Sequence, residues 1–174
     1  MTKKRPLTVV DNGFLITETD DSPKHIAGLQ TYIKPKRAAK GFVKKLFDQW
    51  IKINSACAPY NLILNAKNPL APYWEESPNF KAKEHVFFLN LKEGTREELN
   101  TLVSELHEPR LDMSKPLWRC FFIDGLSDNR FAIYFSFHHS VLDGISAGKI
   151  MERTLSYEAS KKGLPPFFAM ADNP

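Results

Sequence analysis

The run FAIYFSF, from Phe131 to Phe137, leaves this chain few choices. Seven residues without a charge, four of them aromatic, are too few for a buried helix and read as a buried strand. Strand alternation puts Phe131, Ile133, Phe135, Phe137 and His139 on one face, and Ala132, Tyr134, Ser136 and His138 on the other. LWRCFFI lies just upstream, across the turn residues of DGLSDN, and is its expected antiparallel partner in a hairpin with a long loop.

Other elements gather round that hairpin. FLITET and, after the turn DDSPK, HIAGLQTYI read as extended segments. From Gly41 the period changes: Phe42, Val43, Leu46, Phe47, Trp50 and Ile51 recur at helical spacing with polar residues between them. Pro59 to Phe80 holds four prolines and reads as a loop with one short strand at NLILN. EHVFFLNL is a further strand. Thr95 and Glu98 form a capping box ahead of the stripe Leu99, Leu102, Val103 and Leu106, and Pro109 ends that helix. A last helix is expected over residues 145–162. Residues 1–162 then form one domain, and 163–174, with the pair Pro165-Pro166 followed by exposed-looking aromatics, begin a linker to a domain that is absent. The fold class expected is α/β, a mixed sheet flanked by helices.

Composition excludes some classes. A 174-residue chain with 43% hydrophobic and 25% charged residues can bury a core and is neither disordered nor collagen-like. Two cysteines without CxxC spacing argue against a zinc finger or disulfide framework and fit a reduced, cytoplasmic setting. The longest apolar run is about seven residues, far short of the ~20 that span a bilayer. The net charge of +4 is concentrated at the N-terminus and over Lys34 to Lys45, which would serve an anionic partner or a solvated helix face.

Function turns on the heptad at the end of the strand, HHSVLDG, His138 to Gly144. Adjacent strand histidines point apart, which disfavours one shared metal. Asp143 suits a helix N-cap accepting from Ile145 or Ser146, and Gly144 a tight turn. The segment is therefore either a strand, a capped turn and a helix, or a strand that carries His139 as a general base beside a helix start. No serine or cysteine sits in a nucleophile elbow, so direct transfer fits better than a covalent intermediate.

HHSVLDG resembles the HHxxxDG signature of the acyltransferases that include chloramphenicol acetyltransferase, plant alcohol acyltransferases and peptide-synthetase condensation domains. VVDNGFLITETDDSPKHIAGL and REELNTLVSELHEPRLDMSKPLWRCFFIDGL, with Pro116, Leu117 and Trp118, are similar to the bacterial wax ester synthase/diacylglycerol acyltransferases. The resemblance implies a chloramphenicol-acetyltransferase-like fold of two similar domains, with this chain as the first. It implies transfer of a fatty acyl group from acyl-coenzyme A, as co-substrate, to a long-chain alcohol or diacylglycerol, with no metal and no nucleic acid. By the same resemblance His139 is the base within the catalytic motif His138, His139, Asp143 and Gly144. Asp143 is structural, Gly144 keeps a channel open, and Pro116, Leu117 and Trp118 shape a hydrophobic wall that meets substrate. The C-terminal half, from the same gene product or a separate chain, is the expected partner, together with peripheral contact at a membrane or lipid droplet. A non-catalytic lipid-binding module, a condensation-domain relative using carrier-protein thioesters and a metal-dependent hydrolase are the competing expectations.

Overall fold

The computed structural model describes residues 4–156, 158 and 165–170. Its centre is a four-stranded mixed sheet in the order β2 (His25–Ile33), β7 (Arg130–His138), β6 (Trp118–Leu126) and β5 (Val86–Asn90). β2 and β6 flank β7 antiparallel, while β5 runs parallel to β6. The parallel pair needs a crossover, which α3 (Arg96–His107) supplies. Three more strands, β1 (Arg5–Pro6), β4 (Tyr73–Glu76) and β3 (Leu62–Asn65), form a small antiparallel sheet.

The alternation expected for FAIYFSF sorts the core. Phe131, Ile133, Phe135 and Phe137 pack on one face with α2 (Phe42–Trp50), whose Val43, Leu46, Phe47 and Trp50 lie against them. Ala132 and Tyr134 face the other way, onto Leu99, Leu102, Val103 and Leu106 of α3. The N-terminus of α3 is capped as its sequence requires: Thr95 Oγ1 accepts from Glu98 N–H at 3.1 Å. The Glu98 carboxylate reaches past the cap residue and accepts from the N–H groups of Lys92, Glu93 and Gly94. Gly28 of β2 is demanded by packing, because a Cβ there would fall 2.5 Å from the Phe135 ring.

Several expectations change. FLITET is not extended. Val9–Thr17 forms helix α1, closed by a reciprocal cap between Thr8 and Asp11, and that local hydrogen bonding outweighs the strand propensity of its β-branched residues. The β6–β7 loop is short, since Arg130 N–H closes on Ser127 O and the two residues between them, Asp128 and Asn129, both take positive φ. YWEE in the proline-rich segment pairs as β4 between Pro72 and Pro78. The last helix, α4, spans Gly144–Thr154, after which Leu155 is extended. Ile150 is the last described residue of α4 to be buried, and helix turns with no face to bury gain little stability. Residues 157 and 159–162 of the expected helix lie outside the described residues.

The tail aromatics are not exposed. Phe167 and Phe168 open a 3₁₀ turn and are 2% and 0% exposed, packed around Trp118 and Trp50. Among the described residues no helix is long and apolar enough to cross a membrane.

Candidate active site

β7 ends at His138, and the two histidines diverge there as strand geometry requires. His138 is fully buried among polar groups. Its Nδ1 accepts from Ser140 N–H at 3.1 Å and lies 2.6 Å from Ser140 Oγ, so the neutral ring carries its proton on Nε2. That nitrogen faces Glu18 Oε1 at 3.6 Å.

His139 points the other way and is half-buried. Its N–H continues the sheet ladder by donating to Lys24 O at 2.8 Å. Phe14 of α1 stacks on its ring, with centroids 4.3 Å apart and planes at 12°. Nδ1 is shut away from solvent with no hydrogen-bond partner among the described residues, which leaves Nε2 as the nitrogen able to meet a substrate. The ring lines an open cleft of about 620 Å³ between α1 and α4, whose walls include Val10, Phe14, Asp143, Lys149, Ile150 and Arg153.

Asp143 is the N-cap of α4. Its Oδ1 accepts from Ser146 N–H at 2.7 Å, and that bond holds the carboxyl below the usual carboxylate range. Asp143→Ala should therefore cost about 0.5–2 kcal/mol of stability, seen as a lower urea midpoint. Unchanged stability with abolished turnover would instead give Asp143 a part in proton transfer. Gly144, the first residue of α4, takes no positive φ, and a Cβ there would meet nothing within 4 Å. Its hydrogen side chain leaves open space rather than enabling the turn.

The other residues singled out in the sequence lie elsewhere. Pro116, Leu117 and Trp118 are buried and absent from the cleft lining. They stand behind the motif, with Leu117 O accepting from His138 N–H at 3.0 Å. Trp118 Nε1 donates to Tyr60 O at 2.8 Å, and its ring stacks on His85 and Phe168. None of the cations in the Lys34–Lys45 run lines the cleft, and Lys34 and Lys44 pair with Asp124 and Asp48. Among the described residues no three His, Cys, Asp or Glu side chains gather as a metal site would need.

Three residues escape a reading of the sequence as site components: Phe14, Glu18 and Arg110. The Glu18 side chain is wholly buried and pairs with Arg110 at 3.0 Å, across 92 residues of sequence. No local pattern could announce that pair.

Burial holds His25, His85 and His138 below the ordinary imidazole value of 6.5 by desolvating the charged form; at His138 the Glu18 charge opposes this without reversing it. Such residues fold neutral, while the unfolded chain takes up its protons first as pH falls. Their contribution is complete above pH 6.5 and is lost below it. The melting temperature should decline as pH is lowered from about 7.5 to about 5. A flat profile over that range would contradict the burial of neutral imidazoles.

A mixed sheet flanked by helices, with a histidine at the end of an internal strand beside a capped helix start, places the chain in the chloramphenicol-acetyltransferase-like class of folds. The profile of the wax ester synthase/diacylglycerol acyltransferase catalytic domain matches residues 7–173. The chain belongs to that family. It is 33% identical over 165 residues to the O-acyltransferase WSD of Acinetobacter baylyi, covering 93% of this chain and 35% of the relative. It superposes on the wax ester synthase/diacylglycerol acyltransferase from Marinobacter aquaeolei VT8 with a TM-score of 0.91 at 34% identity, covering 95% of this chain and 40% of that one. A four-domain nonribosomal peptide synthetase shares the fold at a TM-score of 0.63 and 15% identity, covering 88% of this chain and 11% of that one. The chain thus spans little more than a third of the family members it matches.

Proposed function

We propose that this chain forms part of an O-acyltransferase that moves a long-chain fatty acyl group from acyl-coenzyme A to a fatty alcohol or diacylglycerol, with His139 as the general base. The observation that carries this reading is the setting of His139: a ring braced by Phe14, closed off at Nδ1, and turned into a large cleft. The cleft lining is mixed, and its apolar part, from Val10, Phe14, Pro59, Val141, Leu142 and Ile150, offers a surface for a fatty chain. Lys149 and Arg153 put positive charge on the α4 side of the cleft, which also holds the Asp11 and Asp143 carboxylates, and a phosphate-bearing thioester would be drawn to those cations.

In this mechanism Nε2 of His139 takes the hydroxyl proton of the acceptor as its oxygen attacks the thioester carbonyl. The carbon–oxygen bond forms and a tetrahedral oxyanion results. Its collapse breaks the carbon–sulfur bond, and the departing thiolate receives the proton from the His139 imidazolium. Ester and free thiol are the products, and the histidine returns to its neutral form. General-base assistance of this kind contributes about 10²–10⁴ in rate. Asp143 acts by shape, fixing the start of α4, and Gly144 follows it with no side chain in open space.

The 35–40% share of its relatives that the chain spans supports a site completed by a second domain, on this chain or another. Contact with a membrane or lipid-droplet surface, where such acceptors reside, belongs to the same reading. Release of free thiol from palmitoyl-coenzyme A by the intact protein, with and without hexadecanol, tests it. Alcohol-dependent release with formation of the ester is expected. Ligand binding without turnover would make the protein a lipid-binding module instead.

A further inference from the structure

The buried carboxylate of Glu18 takes no part in the proposed transfer, and a carboxylate is an expensive group to bury. Removing such a charge from water costs several kcal/mol, which a well-packed apolar side chain would avoid. Its contacts give it a use. Oε2 accepts from Arg110 Nη2 at 3.0 Å, and Oε1 accepts from Lys24 N–H at 3.1 Å while facing His138 Nε2 at 3.6 Å.

Two of these contacts lead to His139, and the third, from Arg110, holds the carboxylate that makes them. The Lys24 residue whose N–H donates to Glu18 presents its carbonyl to the His139 N–H at 2.8 Å. The proton on His138 Nε2 is held toward Glu18 by the two Ser140 contacts at Nδ1, which anchors the residue next to the base. Glu18 also terminates α1, the helix whose Phe14 lies flat on the His139 ring. α1 has no fully buried residue, and beside the packing of its Leu15 against a core cluster the Glu18 side chain adds a polar tether to Lys24, His138 and Arg110.

We infer that Glu18, held by Arg110, is a positioning residue for His139: it ties α1, the Lys24 backbone and His138 together so that the base keeps its place under Phe14. This rests on the assignment of His139 as the base. Misplacing a reacting group by about 1 Å can cost about 10²-fold, so the effect should fall on turnover rather than on donor binding.

Glu18→Gln tests this in the intact protein, because glutamine keeps the volume and the acceptor for Lys24 N–H but removes the charge. The expected result is a kcat lowered by about 10–100-fold with KM for palmitoyl-coenzyme A changed less than about 2-fold. His139 ring-proton resonances should also move downfield as the shielding Phe14 face loosens, which a merely stabilising residue distant from the ring would not produce. Should the single variant not fold, E18Q/R110M removes both charges and leaves no buried ion unpaired. A folded variant with wild-type kcat and unshifted His139 resonances overturns the inference. If the wild-type protein shows no alcohol-dependent thiol release, the acyltransferase reading fails by itself. The His139 resonances then decide the positioning role: a shift in Glu18→Gln upholds it, and none overturns it.

Discussion

His139→Ala, in the intact protein, is expected to lower alcohol-dependent thiol release by about 10²–10⁴-fold and to leave the fold in place. The ring is half-buried at the mouth of a cleft, and its Nδ1 has no hydrogen-bond partner among the described residues. Truncation therefore orphans no buried donor or acceptor, and water can fill the space from the cleft side. What is lost is the stack on Phe14, worth about 0.5–1.5 kcal/mol and hence about 1–6 °C in melting temperature for a domain of this size. Activity and stability thus separate at this position. Turnover within a factor of about ten of wild type would remove His139 as the base, whereas unfolding would mean the stack carries more of the fold than its geometry suggests.

Trp118→Ala is expected to do the reverse. Trp118 is 1% exposed, stacked on His85 at 4.6 Å and on Phe168 at 5.2 Å, with Tyr60 and Phe167 edge-on. Its loss leaves a cavity that those rings cannot all collapse into, and it strips the Tyr60 carbonyl of its indole donor. Large aromatic truncations in cores cost about 3–5 kcal/mol, or about 6–20 °C here. Kinetics measured below the melting transition should show KM for hexadecanol little changed, because Trp118 lies outside the cleft lining. A wild-type melting temperature with a raised KM would restore Trp118 to the substrate wall that the sequence resemblance implies for it.

The two adjacent histidines show where a reading of the sequence succeeds. The period-two pattern of FAIYFSF is enough to send His138 and His139 to opposite faces, because side-chain direction along a strand follows from backbone geometry alone. The caps at Thr95 and Asp143 are legible for a similar reason, since each joins groups three residues apart. The same local rule operates at Thr8 and Asp11, but the β-branched, strand-like residues after them hide it and make α1 look extended.

What the sequence by itself determined is therefore local and periodic: the faces of the central strands, the amphipathic stripes of α2 and α3, the caps, and the motif that marks the family. The tertiary structure alone decided which side chains meet across long separations. Glu18 finds Arg110 across 92 residues and His138 at the end of β7, Phe14 covers His139, and Phe167 and Phe168 close on Trp118 and Trp50. Periodicity specifies where a residue points along its own element, but not which element will lie opposite. That second choice is made when the chain packs its apolar faces together, and at this site it sets the surroundings of His139.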